Sequence, residues 1–259
     1  MAEFVTFEKL DGVAIVTIDN PPLNVMSKQV ALELGNIFHE LSADEEVVTV
    51  LLTGAGEKAF MAGADIKEFP NLMKNPDMKA SIMQSHAILN AIDQFEKPTI
   101  AVLNGMTFGG GCELALTCDL RIAEEHTLIG LPEIKLGLFP GGGGTQRLPR
   151  LIGEAKAKQL MFTGEPITAN KAEQIGLVNE VVPTGEGVSY GLKVARQISR
   201  HSLQALSRIK KAVDEGVEMP LEAGIEREAE LFTEVFQTED IREGVTAFIE
   251  KRKPVFTHK

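Results

Sequence analysis

Three short runs of the chain, "VAIVTID" (Val13–Asp19), "VVTVLLTG" (Val47–Gly54) and "TIAVLNG" (Thr99–Gly105), are apolar almost without a break. A strand with one face in water alternates apolar and polar residues, because successive side chains point to opposite faces. Runs like these describe strands covered on both faces, so amphipathic elements must lie over them. The intervening segments supply such elements. Val30, Leu34, Ile37, Phe38 and Leu41 recur at helical spacing behind Ser27, a candidate N-cap. Ile82, Leu89, Ile92 and Phe95 mark a second helix, closed by Pro98. The alternation predicts an α/β arrangement. With 259 residues, 44% of them hydrophobic, the chain can bury one large core, with or without a small appendage.

Two segments resemble each other. "VLLTGAGEKAFMAGADI" and "AVLNGMTFGGGCEL" each run strand, glycine, irregular glycine-containing loop, helix start with an acidic residue. A repeated supersecondary unit would bring the two loops to the same edge of the sheets. Past Asn179, "NEVVP" reads as a last short strand, and from Gly187 the pattern is helical. Leu203, Leu206, Ile209, Lys210 and Val213 share one helix. Leu231, Phe232, Val235 and Phe236 share another, and Val245, Phe248 and Ile249 a third. The expected division is a core over residues 1–186 and a helical C-terminal subdomain over residues 187–259.

Several function classes recede at this level. The formal net charge is −11, whereas a nucleic-acid binder presents a basic face. Lys210-Lys211 and Lys251-Arg252-Lys253 are short clusters that read as solvated helix faces or a local anion site. Two cysteines, Cys112 and Cys118, make no disulfide framework and match no zinc spacing. The N-terminus has no secretory pattern and no run suits a membrane span, so a cytoplasmic location is expected. "GAGEKA" follows a strand, but Gly63 stands where the helix of a dinucleotide site should continue, and "GGGGTQR" lacks the Gly-Lys-Ser/Thr of a phosphate loop. The five histidines are scattered and offer neither a metal site nor a serine–histidine pair.

Carboxylates and backbone amides are left. Glu113 follows Gly109, Gly110 and Gly111 at a helix start. Free N–H groups point out of a helix N-terminus, and glycine lets a ligand atom approach the backbone, which together make an oxyanion site. "AGAD" (Ala62–Asp65) can supply a second donor in the same way. Glu133 lies between Pro132 and Ile134, where apolar neighbours would raise its pKa and suit it to a general acid. Taken alone, Glu113 is equally a helix cap and Glu133 an exposed loop residue.

Taken together, "NPPLNVMS", "KAFMAGADIKEF", "KPTIAVLNGMTFGGGCELALTCDLRIA", "LPEIKLGLFPGGGGTQRLPRLIG", "TGEPITANKAEQIGLVNEVVP" and "AFIEKRKPVF" resemble the crotonase superfamily, specifically its enoyl-CoA hydratases, in that family's order and over nearly the whole chain. The resemblance implies a spiral of repeated ββα units with a helical C-terminal subdomain, assembled as trimers or dimers of trimers. It implies an acyl-CoA thioester substrate, with no cofactor beyond the CoA that the substrate carries, and no metal. The backbone N–H groups of Ala64 and Gly110 would form the oxyanion hole. CoA would lie along Ala62, Ala64, Asp65, Ile66 and Lys67, with Phe248 and Lys251 helping to hold it, often from a neighbouring subunit. Hydratases of the family carry two glutamates, here Glu113 and Glu133. Glu113 would position and activate water, and Glu133 would deliver a proton at C2. Other activities of the fold, an enoyl-CoA isomerase or another acyl-CoA lyase, share the CoA site, and RNA binding is a remote alternative that the net charge opposes. Met61 stands where many relatives carry a small residue or cysteine, and the expectation is that it reshapes the acyl mouth.

Overall fold

The computed structural model describes residues 3–259. Its strands are β1 (Val5–Leu10), β2 (Val13–Ile18), β3 (Thr49–Gly54), β4 (Ala59–Ala62), β5 (Thr99–Leu103), β6 (Met106–Phe108), β7 (Leu120–Glu124), β8 (Leu128–Gly130), β9 (Ile167–Thr168) and β10 (Glu180–Val182). The helices of the first half are α1 (Lys28–Ala43), α2 (Phe69–Leu72), α3 (Met78–Asp93) and α4 (Gly110–Ala115). Those of the second half are α5 (Gly144–Ile152), α6 (Glu154–Thr163), α7 (Ala169–Gln174), α8 (Gly187–Ile198), α9 (Leu203–Gly216), α10 (Leu221–Val235) and α11 (Glu239–Ile249). Ser27 caps α1, its side chain accepting from the Val30 N–H.

The strands form two sheets, ordered β1-β2-β3-β5-β7-β10 and β4-β6-β8-β9. From β2 to β10 the first sheet is parallel, and β4, β6 and β8 are parallel in the second. The chain therefore winds. It lays β3 in one sheet and β4 in the other, crosses through α3, then repeats with β5, β6 and α4, and again with β7 and β8. Each turn is a ββα unit, and corresponding loops of successive turns come to lie side by side.

The unbroken apolar runs are explained by cover on both faces. Ala14, Val16, Val50, Leu52, Ala101 and Leu103 point into the larger core, beside residues of α1 and α3. Val13, Ile15, Leu51, Ile100 and Val102 point to the opposite face, into a second cluster closed by Ala195 of α8. There α8 lies so close that a Cβ on Gly191 would fall 2.7 Å from Val102 Cγ2 and 2.8 Å from Leu51 Cδ1. The helix that opens residues 187–259 is thus cover for the sheet. Next along the chain, α9 and α10 pair with each other, and Lys210 of α9 reaches back to Asp119 at 3.0 Å.

Met61 departs from expectation. It is fully buried in the larger core and does not shape an open mouth. Its backbone instead sets how closely α4 can approach. A Cβ on Gly111 would lie 2.8 Å from both the carbonyl carbon and the Cβ of Met61. Replacing Gly111 by alanine should therefore push α4 off β4 and destabilise the protein by about 1–3 kcal/mol. Thermal unfolding of Gly111→Ala checks this, and a wild-type midpoint would show that the contact yields freely.

Candidate active site

Because β4 and β6 are parallel neighbours, the loops that follow them meet. A Cβ on Gly109 would lie 3.6 Å from Gly63 Cα, and one on Gly110 would lie 3.7 Å from the Ala64 nitrogen. The Ala62–Asp65 loop is held by the segment before α1. Met26 N–H donates to the Gly63 carbonyl at 2.8 Å, and Asp65 N–H donates to the Met26 carbonyl at 2.9 Å. Ala64 N–H lies between these two bonds and has no backbone acceptor among the described residues. Gly110 is the first residue of α4, so its N–H is one that a helix leaves unpaired.

Glu113 projects from the first turn of α4 and is only 4% exposed. One carboxylate oxygen, Oε1, accepts the N–H groups of Gly142 and Gly144 at 2.7 and 2.8 Å. Both donors belong to the four-glycine run that leads into α5, Gly144 being that helix's first residue. The run must be glycine there, because a Cβ on Gly142 would sit 2.6 Å from Glu113 Oε2. Burial raises the Glu113 pKa above the ordinary carboxylate value. The two amide bonds oppose the rise, and His86 and Arg147 oppose it further through their charge. The end of α4 is anchored by buried Arg121, whose Nη1 donates to the carbonyl of its last residue, Ala115, at 3.4 Å and to that of Cys118 just beyond at 2.5 Å, while Nε donates to the Leu177 carbonyl at 2.8 Å.

Glu133 sits in a short 3₁₀ turn, Pro132–Leu136. Its Oε1 lies 2.8 Å from where a Cβ on Gly109 would be, and Gly109 adopts φ +51°, a region open to glycine. Its Oε2 is buried and has no hydrogen-bond partner among the described residues. Burial is the main cause of a Glu133 pKa raised to about 7. Its own backbone N–H pulls the value down, and the neighbouring Glu113 charge adds to the rise. Two carboxyl groups thus flank the start of α4 in opposite surroundings: one gripped by amides, the other bare.

The other residues singled out in the sequence divide into two groups. Ala62, Ala64 and Asp65 are half-buried at the loop, while Ile66 and Lys67 continue it outward, exposed, in a 3₁₀ turn capped by Asp65. Phe248, 86% exposed, and Lys251 lie at the end of α11. Among the described residues no hydrogen bond or ion pair joins Lys251 to this loop. A cleft of about 690 Å³ opens beside the site, walled by Ile134, Leu138, Phe139, Pro140, Met161 and Phe162, but neither glutamate lines it. Sequence reasoning missed Gly142, Gly144 and Arg147. Their signal was present in "GGGGTQR", which was considered only as a phosphate loop.

Comparison with known proteins identifies the family. The family model described as enoyl-CoA hydratase/isomerase matches residues 8–259. The chain belongs to the enoyl-CoA hydratase/isomerase family. A short-chain-enoyl-CoA hydratase of Clostridium acetobutylicum is 42% identical over 250 residues, covering 96% of this chain and 95% of that protein. A crotonyl-CoA hydratase of Syntrophomonas wolfei is 40% identical, covering 99% of each. The crystal structure of an enoyl-CoA hydratase from Bacillus anthracis superposes with a TM-score of 0.95 at 36% identity, covering 99% of this chain and all of that one. The ββα spiral is the fold of this family.

The bare carboxyl has a consequence for stability. Between the ordinary glutamate pKa and about 7, folded Glu133 holds a proton that the unfolded chain has released. Its favourable contribution is complete below the unfolded value and is lost as pH rises through about 7. Glu133→Gln cannot ionise, so its melting temperature relative to wild type should climb from pH 4.5 to pH 8, by roughly 2–4 °C for each kcal/mol removed. A constant difference across that range would contradict the assignment.

Proposed function

We propose that this chain is an enoyl-CoA hydratase, adding water reversibly across the double bond of a trans-2-enoyl-CoA thioester to give the 3-hydroxyacyl-CoA. The observation that carries the reading is the pair of dissimilar carboxyl groups beside Ala64 and Gly110. With the thioester oxygen between the Ala64 and Gly110 N–H groups, charge that develops as the alkene is attacked meets two fixed dipoles. Loss of one donor of this kind typically costs about 2.7–4 kcal/mol.

Water is a weak nucleophile and must be oriented and deprotonated. Glu113, with one oxygen held by two amides, keeps the other for that water. As the water oxygen bonds to C3, its proton passes to Glu113 and the electrons of the double bond move into the thioester, giving the enolate. Glu133, protonated near neutrality, then gives its proton to C2. The transfer leaves Glu113 protonated and Glu133 ionised, and proton exchange between the two restores the starting state. Both groups act from one face of the alkene, so the addition is syn.

CoA is assigned to the Ala62–Lys67 segment. The exposed apolar residues Val213, Val217, Phe232, Phe236 and Phe248 support a homo-oligomer, a trimer or a dimer of trimers, because a monomer rarely leaves so much apolar surface open. No cofactor is required beyond the CoA of the substrate. Buried, unpaired Cys112 and Cys118 suit a reducing cytoplasm. Among the described residues no helix is long and apolar enough to cross a membrane. A second reading, enoyl-CoA isomerisation, is favoured only by the breadth of the family description. Conversion of a 3-enoyl-CoA with no hydration of the 2-enoyl isomer would select it.

Mixing the enzyme with crotonyl-CoA should lower the conjugated-enoyl absorbance until the reaction reaches equilibrium. Glu113→Gln and Glu133→Gln should each slow this by about 10²–10⁴-fold while retaining the fold. Near-wild-type turnover in either variant would remove that residue from the mechanism.

A further inference from the structure

The grip on Glu113 comes from a loop that glycine makes intrinsically pliable. Gly141, Gly142, Gly143 and Gly144 are consecutive, and Gly143 takes φ +106°. Something must hold this run if the Gly142 and Gly144 amides are to keep one geometry, and Arg147 is placed to do so. Arg147 lies in the first turn of α5, its N–H donating to the Gly143 carbonyl at 2.8 Å. Its side chain, 16% exposed, folds back over Gly143. Nη1 donates to the Gly142 carbonyl at 3.4 Å, Nε donates to Asp93 Oδ2 at 3.0 Å, and Nη2 donates to Asn90 Oδ1 at 2.7 Å. The Gly142 carbonyl belongs to the peptide between the two amides that bind Glu113. The guanidinium therefore ties that peptide to α3, an element outside the loop.

We propose that Arg147, braced by Asp93 and Asn90, is a positioning residue that holds the glycine loop so that Gly142 and Gly144 orient Glu113. The inference rests on the reading of Glu113 as the residue that activates water. It also accounts for the unlike surroundings of the two acids. Glu113 is faced by Glu133 from the 3₁₀ turn, by Arg147 from α5 and by His86 from α3, with Asp93 partly neutralising Arg147. His86 is one turn before Asn90 on the same helix. The charges from α3 and α5 and the two amides favour the ionised form of Glu113, whereas only its own backbone N–H favours the ionised form of Glu133.

The test is Arg147→Gln, with crotonyl-CoA as probe, read by kcat, KM, the pH profile and the melting temperature. Removing the brace should lower kcat by about 10–100-fold, the scale of a small misplacement of a reacting group, with KM changed less than about threefold. The acidic limb of the kcat profile should move to higher pH, and Arg147→Lys should restore part of kcat. In a Glu113→Gln background Arg147→Gln should cost nothing further, because it acts through Glu113. Asn90→Ala removes one bond to the guanidinium at an exposed position. It should lower kcat by a few-fold at an unchanged melting temperature, which keeps the proposal testable if Arg147→Gln folds poorly. An unmoved acidic limb, a loss confined to KM, or effects that multiply in the double variant would overturn the positioning role. If Glu113→Gln alone retains turnover, the reading of Glu113 as the residue that activates water fails and the positioning role falls with it, while the hydratase reading stands. If Glu113→Gln is inactive while Arg147→Gln is normal, only the positioning role fails.

Discussion

The hydrogen bonds from Gly142 and Gly144 to Glu113 are the interaction on which the site depends. A carboxylate that is 4% exposed would ordinarily protonate or force its way to water, because burying an unpaired charge is very costly. Two amides at 2.7 and 2.8 Å offset part of that penalty, and charge-assisted bonds of this kind are stronger than neutral ones. They use the same oxygen and leave the rest of the carboxylate free of backbone donors. Glu133 has only its own backbone N–H for such help, and its Oε2 is buried without a partner among the described residues. Two residues of the same type thereby acquire different proton affinities within one small volume, the usual way a fold obtains an acid and a base at neutral pH.

The spiral is what makes such a volume possible. Successive turns deposit β4, β6 and β8 in parallel, and each leaves a loop at the same end of the small sheet. Ala64 comes from the first of these loops, Gly110 from the second and Glu133 from the segment after the third. α4 is short, six residues, and Arg121 fixes its far end by donating to the Ala115 carbonyl, one of the groups that a helix end leaves without an intrahelical partner. The direction of Glu113 is therefore determined from both ends of the helix. Gly111 permits the approach to Met61 that sets its depth.

Much of this was legible in the sequence. The covered strands β2, β3 and β5, helices α1, α3 and α9–α11, and the pairing of the two loops all followed from apolar period and from the echo between residues 50–66 and 101–114. The second sheet was not legible as strands. Its members β4, β6, β8 and β9 span two to four residues, too few for a period of two to register. The reasons for the glycines were only partly legible. Gly109–Gly111 suggested close approach of a ligand, whereas Gly111 also answers to the backbone of Met61 and Gly109 to Glu133. Those contacts cross between turns of the spiral, as does the bond network of Arg147 with Asn90 and Asp93, and local pattern carries no trace of them. Met61 misled for the same reason: its place in the core is set by α4, far along the chain.

Under the proposed mechanism, water activation by Glu113 and proton delivery by Glu133 from one side of the substrate would leave a stereochemical signature. Hydration of crotonyl-CoA in deuterium oxide, followed by NMR assignment of the relative configuration at C2 and C3, reads it directly. Deuterium and hydroxyl added to the same face of the alkene is the result that the arrangement of Glu113 and Glu133 predicts. Addition to opposite faces, or a mixture of the two, would contradict it.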